Sequence, residues 1–169
     1  LSDVKALLES LNQKVDQNTE AGKENTEVKI LNSVVKFKNY TESDYGKTSW
    51  TAGIRLNKTA SGTTLMLQNS KEYAQYAVWV YGEKNKVTID QSELTGWAAL
   101  DISNGMSATS RALNNEVMIS KSTLTGVSYN AVNDTNDYAT IVIGGQDGLQ
   151  MFIQDSTIQN TIKTTNAQD

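Results

Sequence analysis

The 169-residue chain contains no cysteine, no histidine and no proline. Without cysteine there is no disulfide, no thiolate metal site and no thiol nucleophile. Without histidine, imidazole zinc sites, histidine general bases and Ser-His-Asp triads are excluded as well. Proline normally makes up about 5% of a chain, so its absence from one this long is something the fold must account for. Basic charge is also short, with 15 Lys and Arg scattered among 19 Asp and Glu. That distribution argues against nucleic-acid binding, which needs a concentrated basic patch. No apolar run approaches the roughly 20 residues that span a bilayer, and no signal-peptide pattern is visible. The start at Leu1 suggests a processed product or a fragment, so this absence does not locate the parent protein.

What is abundant is uncharged polarity. Fifteen Ser, 19 Thr, 16 Asn and 10 Gln together make up over a third of the chain. Its length fits one domain with a continuous core. The first 22 residues differ in kind from the rest. Leu1, Val4, Leu8, Leu11 and Val15 alternate at spacings of three and four, the stripe of an amphipathic helix. Ser2 suits its N-cap, Asp3 its first turn, and Gly22 a stop. This helix is expected either to cap the domain that follows or to be the end of a coiled-coil stalk.

From Val28 the periodicity changes to two and a unit recurs. Its clearest copies are Val87-Thr-Ile89-Asp-Gln-Ser92-Glu-Leu94-Thr-Gly96 and Val117-Met-Ile119-Ser-Lys-Ser122-Thr-Leu124-Thr-Gly126. A third is Met151-Phe-Ile153-Gln-Asp-Ser156-Thr-Ile158-Gln-Asn160. Looser copies begin at Val28, with Ile30, Ser33 and Val35, and at Leu65, with Leu67 and Ser70; in the latter Glu72 stands where the others carry Leu, Ile or Val. A serine follows the first apolar anchor by five residues in all five. Every unit but the last is followed by a second alternating segment, Gly53–Leu56, Ala77–Val80, Ala99–Ile102 or Thr140–Ile143. The anchors are 37, 22, 30 and 34 residues apart, which puts loop insertions at 38–52, 104–116 and 128–139.

A unit this short cannot bury its own apolar face and must stack on its neighbours. The serines are expected to form an inward corner column, their hydroxyls satisfying each other and the turn backbone. Gly96, Gly126 and Asn160 are assigned left-handed corner conformations. Proline would remove an N–H from the stacking ladder, which explains its absence. A β-sandwich also accommodates evenly spaced short strands, but unequal spacing around a fixed serine favours the solenoid. The pattern V-x-I-x-x-S-x-L-x-G followed by a short apolar strand resembles the right-handed parallel β-helix of pectin-lyase-like proteins and of bacterial surface proteins. The resemblance implies an all-β solenoid of about five coils over residues 28–162, behind the helix of 1–22 and before a polar tail, 163–169.

Strand alternation then sorts the side chains. On the first sheet Lys29, Met66, Thr88, Met118 and Phe152 face out, and Met66, Met118 and Phe152 form a candidate partner surface unless a loop or the helix covers them. On the sheet of the second segments Arg55, Trp79, Asp101 and Val142 face out, with Asn57, Tyr81 and Ser103 beside them. Trp79, Tyr81, Arg55, Asp101 and Trp97 are the candidate ligand-binding residues, with Tyr76 nearby. Aromatic rings stack on the apolar faces of sugars while charged groups bond their hydroxyls.

No catalytic set and no cofactor is assigned, and no metal site. Pectate-lyase-like enzymes hold calcium with clustered Asp, and β-helix glycosidases use paired carboxylates, whereas Asp101 has no matching carboxylate one coil away. Asn133–Asp137 is oxygen-rich but lacks the calcium-loop pattern and reads as a turn. Lys121 and Asp155 are expected to form a surface ion pair. Asn39, Asn57 and Asn133 begin glycosylation sequons in a chain rich enough in Asn and Thr to produce them by chance. The expected function is a non-catalytic binding or adhesion module of a secreted or cell-surface bacterial protein, recognising carbohydrate or a surface protein. The alternatives are a trimeric phage tail fibre or spike fragment and, last, a polysaccharide lyase or hydrolase. Neither nucleic acid nor membrane insertion is expected, and a homo-oligomer would form through the helix or an open C-terminal end.

Overall fold

The computed structural model describes residues 26–36, 52–103, 112–127, 129–130, 139–161 and 163–164. The helix expected over 1–22, the Asn133–Asp137 turn and the sequons at Asn39 and Asn133 lie outside these residues.

The described chain is a parallel β-solenoid of about five coils. The first coil contributes β1 (Glu27–Leu31), β2 (Val34–Lys36) and β3 (Ala52–Leu56). The second adds β4 (Thr64–Gln68), β5 (Lys71–Tyr73) and β6 (Tyr76–Val80), and the third β7 (Lys86–Asp90), β8 (Glu93–Gly96) and β9 (Ala98–Ser103). The fourth runs through β10 (Ala112–Leu113), β11 (Glu116–Ser120), β12 (Thr123–Gly126), β13 (Tyr129–Asn130) and β14 (Ile141–Gly144). The fifth holds β15 (Gln146–Asp147), β16 (Gln150–Gln154), β17 (Thr157–Asn160) and β18 (Lys163–Thr164). Equivalent strands stack in chain order into three parallel sheets, β1-β4-β7-β11-β16, β2-β5-β8-β12-β17 and β3-β6-β9-β14.

Register follows the repeat. Val28, Leu65, Val87, Val117 and Met151 pair in one column, and Ile30, Leu67, Ile89, Ile119 and Ile153 in the next inward one. With the inward residues of the other sheets they form one core, in which Leu65, Leu67, Val78, Ile89, Leu94, Leu100, Ile119 and Leu124 have no exposed surface. The segments expected as insertions are partly built into the wall. β10 pairs with β15 and β13 with β18, so hydrogen bonding also continues into the stretch assigned to the polar tail.

The serine column is present and its hydroxyls satisfy the turn backbone, as expected, but not one another. Each of Ser33, Ser70, Ser92 and Ser122 donates its backbone N–H to the Oγ of the serine one coil on, at 3.0–3.1 Å. All five hydroxyls donate to the carbonyl two residues upstream, at 2.7–2.9 Å. Serine suits the corner because one small group accepts from the neighbouring coil and donates to its own. A second polar corner, unforeseen, precedes the first sheet. Asn85 Oδ1 accepts from the Thr63 N–H and Asn115 Oδ1 from the Asn85 N–H, both at 2.9 Å. The signal was an Asn two residues before the apolar anchors Val87 and Val117.

The left-handed corner residues are also different ones. Gly96, Gly126 and Asn160 do not have positive φ; Asn32, Asn69, Gln91, Lys121 and Asp155, each just before a column serine, do, with φ from 48° to 52°. Gly96 is glycine because coils approach closely there. A Cβ on it would lie 2.4 Å from the Ala74 carbonyl oxygen. Lys121 and Asp155 share this corner column but make no ion pair with each other among the described residues. Lys121 instead helps to lower the pKa of Asp90, behind the hydrogen bonds that Gln91 and Ser120 donate to it.

Candidate functional site

The third sheet positions the candidate ligand-binding group. Arg55, Trp79, Asp101 and Val142 occupy one column of successive coils. Alternation sends Ile54, Val78, Leu100 and Ile141 to the core on one side and this column to the other. Tyr81 follows β6, its backbone N–H donating to the Leu56 carbonyl at 2.8 Å, so the ladder holds it beside Trp79.

The side chains form a stack. The exposed Arg55 guanidinium lies 4.2 Å from the Trp79 ring centroid and 5.4 Å from that of Tyr81. Trp79 and Tyr81 meet edge to face at 5.9 Å, and the Tyr76 ring, tilted by 32°, lies 5.1 Å from Trp79. Trp79 Nε1 donates to the Ser103 carbonyl at 3.3 Å, fixing the indole across two coils. Trp79 and Tyr81 are both half-buried. Cation–π contacts of this kind contribute about 0.5–1 kcal/mol at exposed sites.

The other candidates are placed differently. Trp97 is 7% exposed and packs with buried Tyr76, Ala98 and Val127 in a second apolar cluster, which leaves little of it for a ligand. Asp101 is 5% exposed, and burial raises its pKa against the opposing hydrogen bond from Ser103. Asn57 is exposed and its Oδ1 accepts from the Lys58 N–H. In the candidate partner column Met66 is half-buried, while Met118 and Phe152 are 45% and 59% exposed.

What the sequence reading did not find is that Arg55 lies on Trp79. The signal was their 24-residue offset at the same strand position. Among the described residues no group of three or more Asp and Glu is close enough to hold a metal ion. The arrangement offers half-buried aromatic surface beside an exposed cation, while the Asp101 carboxyl is buried. No family model, curated protein or solved structure matches the chain.

Proposed function

We propose that this parallel β-solenoid is a non-catalytic binding module of a secreted or cell-surface bacterial protein, and that it recognises carbohydrate. The observation that carries the reading is the half-buried Trp79–Tyr81 pair on the outward face of the third sheet, with Arg55 beside it. Rings held rigidly on a strand ladder present apolar area without an ordering cost on binding. Within this reading the solenoid winds right-handed, as pectin-lyase-like β-helices do. The strong preference of parallel crossover connections for that hand supports it. The single carboxyl of the column, Asp101, favours binding over a two-carboxylate hydrolysis.

A glycan array read with the chain and with a Trp79→Ala/Tyr81→Ala variant tests the proposal. The chain is expected to bind a defined subset of glycans, and the double variant to lose at least tenfold in affinity while keeping its far-UV spectrum. Undiminished binding by the folded double variant would remove the site.

A further inference from the structure

We infer that the ligand of the Arg55–Trp79–Tyr81 site is a saccharide carrying an oxyanion, a sulfate ester or a carboxylate, and that Arg55 is the residue selecting it. The inference rests on the carbohydrate reading above and narrows it. A neutral sugar needs an open ring face, yet the guanidinium already lies on Trp79 at 4.2 Å and reaches over Tyr81 at 5.4 Å. Tyr76 packs against the same indole at 5.1 Å. A neutral sugar would have to displace Arg55 and lose both cation–π contacts.

An oxyanion has no such cost, because it uses the arginine where it stands. Among the described residues the Arg55 guanidinium makes its contacts with these two rings. Its N–H donors enter no hydrogen bond or ion pair there, although the side chain is exposed. A guanidinium presents a planar fork of donors that matches carboxylate and sulfate oxygens in a bidentate manner. Stacking on rigid rings prepays the side-chain entropy that an arginine normally loses on binding. Asp101, the acidic member of the column, lies beyond Trp79 from Arg55, one strand further on, and does not neutralise it by contact.

Two matched pairs test this: dextran against dextran sulfate, and carboxyl-reduced polygalacturonate against polygalacturonate. Each is titrated by calorimetry with the native chain and with Arg55→Gln and Arg55→Lys, all checked for unchanged melting temperature. The native chain is expected to bind at least one anionic member tenfold or more tightly than its neutral partner. Which pair shows the preference distinguishes sulfate from carboxylate. Arg55→Gln should abolish the preference, and Arg55→Lys should recover only part of it, because the charge returns without the planar fork. Equal affinity for neutral and anionic members, or an anionic preference that survives Arg55→Gln, overturns the inference and leaves the carbohydrate reading standing. Failure to bind these polymers and every glycan of the array overturns both.

Discussion

Glu72→Leu raises the melting temperature of the chain at pH 8 by on the order of 10 °C and removes most of the pH dependence of its stability. Glu72 pairs in register with Val35 and Leu94, at a position where other coils carry an inward apolar residue. It has no exposed surface, and neither carboxyl oxygen has a hydrogen-bond partner among the described residues. Burial pushes its pKa from an ordinary 4.5 up to about 8. The sign follows from proton binding. Below pH 4.5 both folded and unfolded chains are protonated at this position and Glu72 adds no pH-dependent penalty. Between 4.5 and about 8 the unfolded chain ionises while the folded one holds its proton, so stability falls as pH rises. The full loss is roughly 5 kcal/mol, reached above pH 8. For a chain of this size each kcal/mol corresponds to about 2–4 °C. Asp101 adds a slope of the same sign above its ordinary 3.8, and Asp90 one of opposite sign, its stabilisation being lost as pH falls below that value. Thermal melts from pH 4 to 9 check the result. A Glu72→Gln variant, which keeps the shape without the charge, should flatten the profile as well. A native profile that is flat across this range would show that Glu72 is not buried as a carboxylic acid.

Gly96→Ala costs about 3 kcal/mol, read as a drop in melting temperature of roughly 10 °C. Replacing glycine with alanine at an ordinary φ normally stabilises slightly, by restricting the unfolded chain. Here sterics decide the sign. The new methyl would lie 2.4 Å from the Ala74 carbonyl oxygen and 2.9 Å from those of Gln75 and Ala98. All three are backbone atoms in stacked walls, so no side chain can swing away. Gly144 is the internal control, because a Cβ there meets only the Ser103 Cβ at 3.5 Å, an ordinary contact. Gly144→Ala should melt within about 4 °C of the native chain, since Gly→Ala at a compatible site changes stability by under about 1 kcal/mol.

These residues show where the sequence was legible. The columns were, because a period of two with a serine fixed five residues after the anchor leaves one register that buries every anchor. Even the loose copies fall into register, Val28 pairing with Leu65 and Leu65 with Val87, as the pattern required. Corner conformation was not. Gln91 and Lys121 carry no strong left-handed preference, and stacking imposes it on them, while Gly96 is fixed by a neighbouring coil invisible to local pattern. The outward column of Arg55, Trp79 and Asp101 was readable from alternation, since each residue sits mid-strand. Trp97 was not, because it stands at the corner between β8 and β9, where alternation gives no side. Nor does alternation give depth. It turned Asp101 outward without indicating that it would be buried.

Parallel stacking in this register positions everything else, and the absence of cysteine makes it directly measurable. Thr88 and Met118 are paired neighbours on β7 and β11, and Phe152 is the next residue of the same column, on β16. Neighbouring strands lie about 4.8 Å apart, within the reach of a disulfide, whereas two steps exceed its limit of about 7 Å. Oxidation of a Thr88→Cys/Met118→Cys chain, followed by peptide mapping without reductant, should give the intramolecular disulfide in nearly all molecules. A Thr88→Cys/Phe152→Cys chain treated identically should give almost none. Equal yields, or the reverse order, would contradict the solenoid and the site built on it.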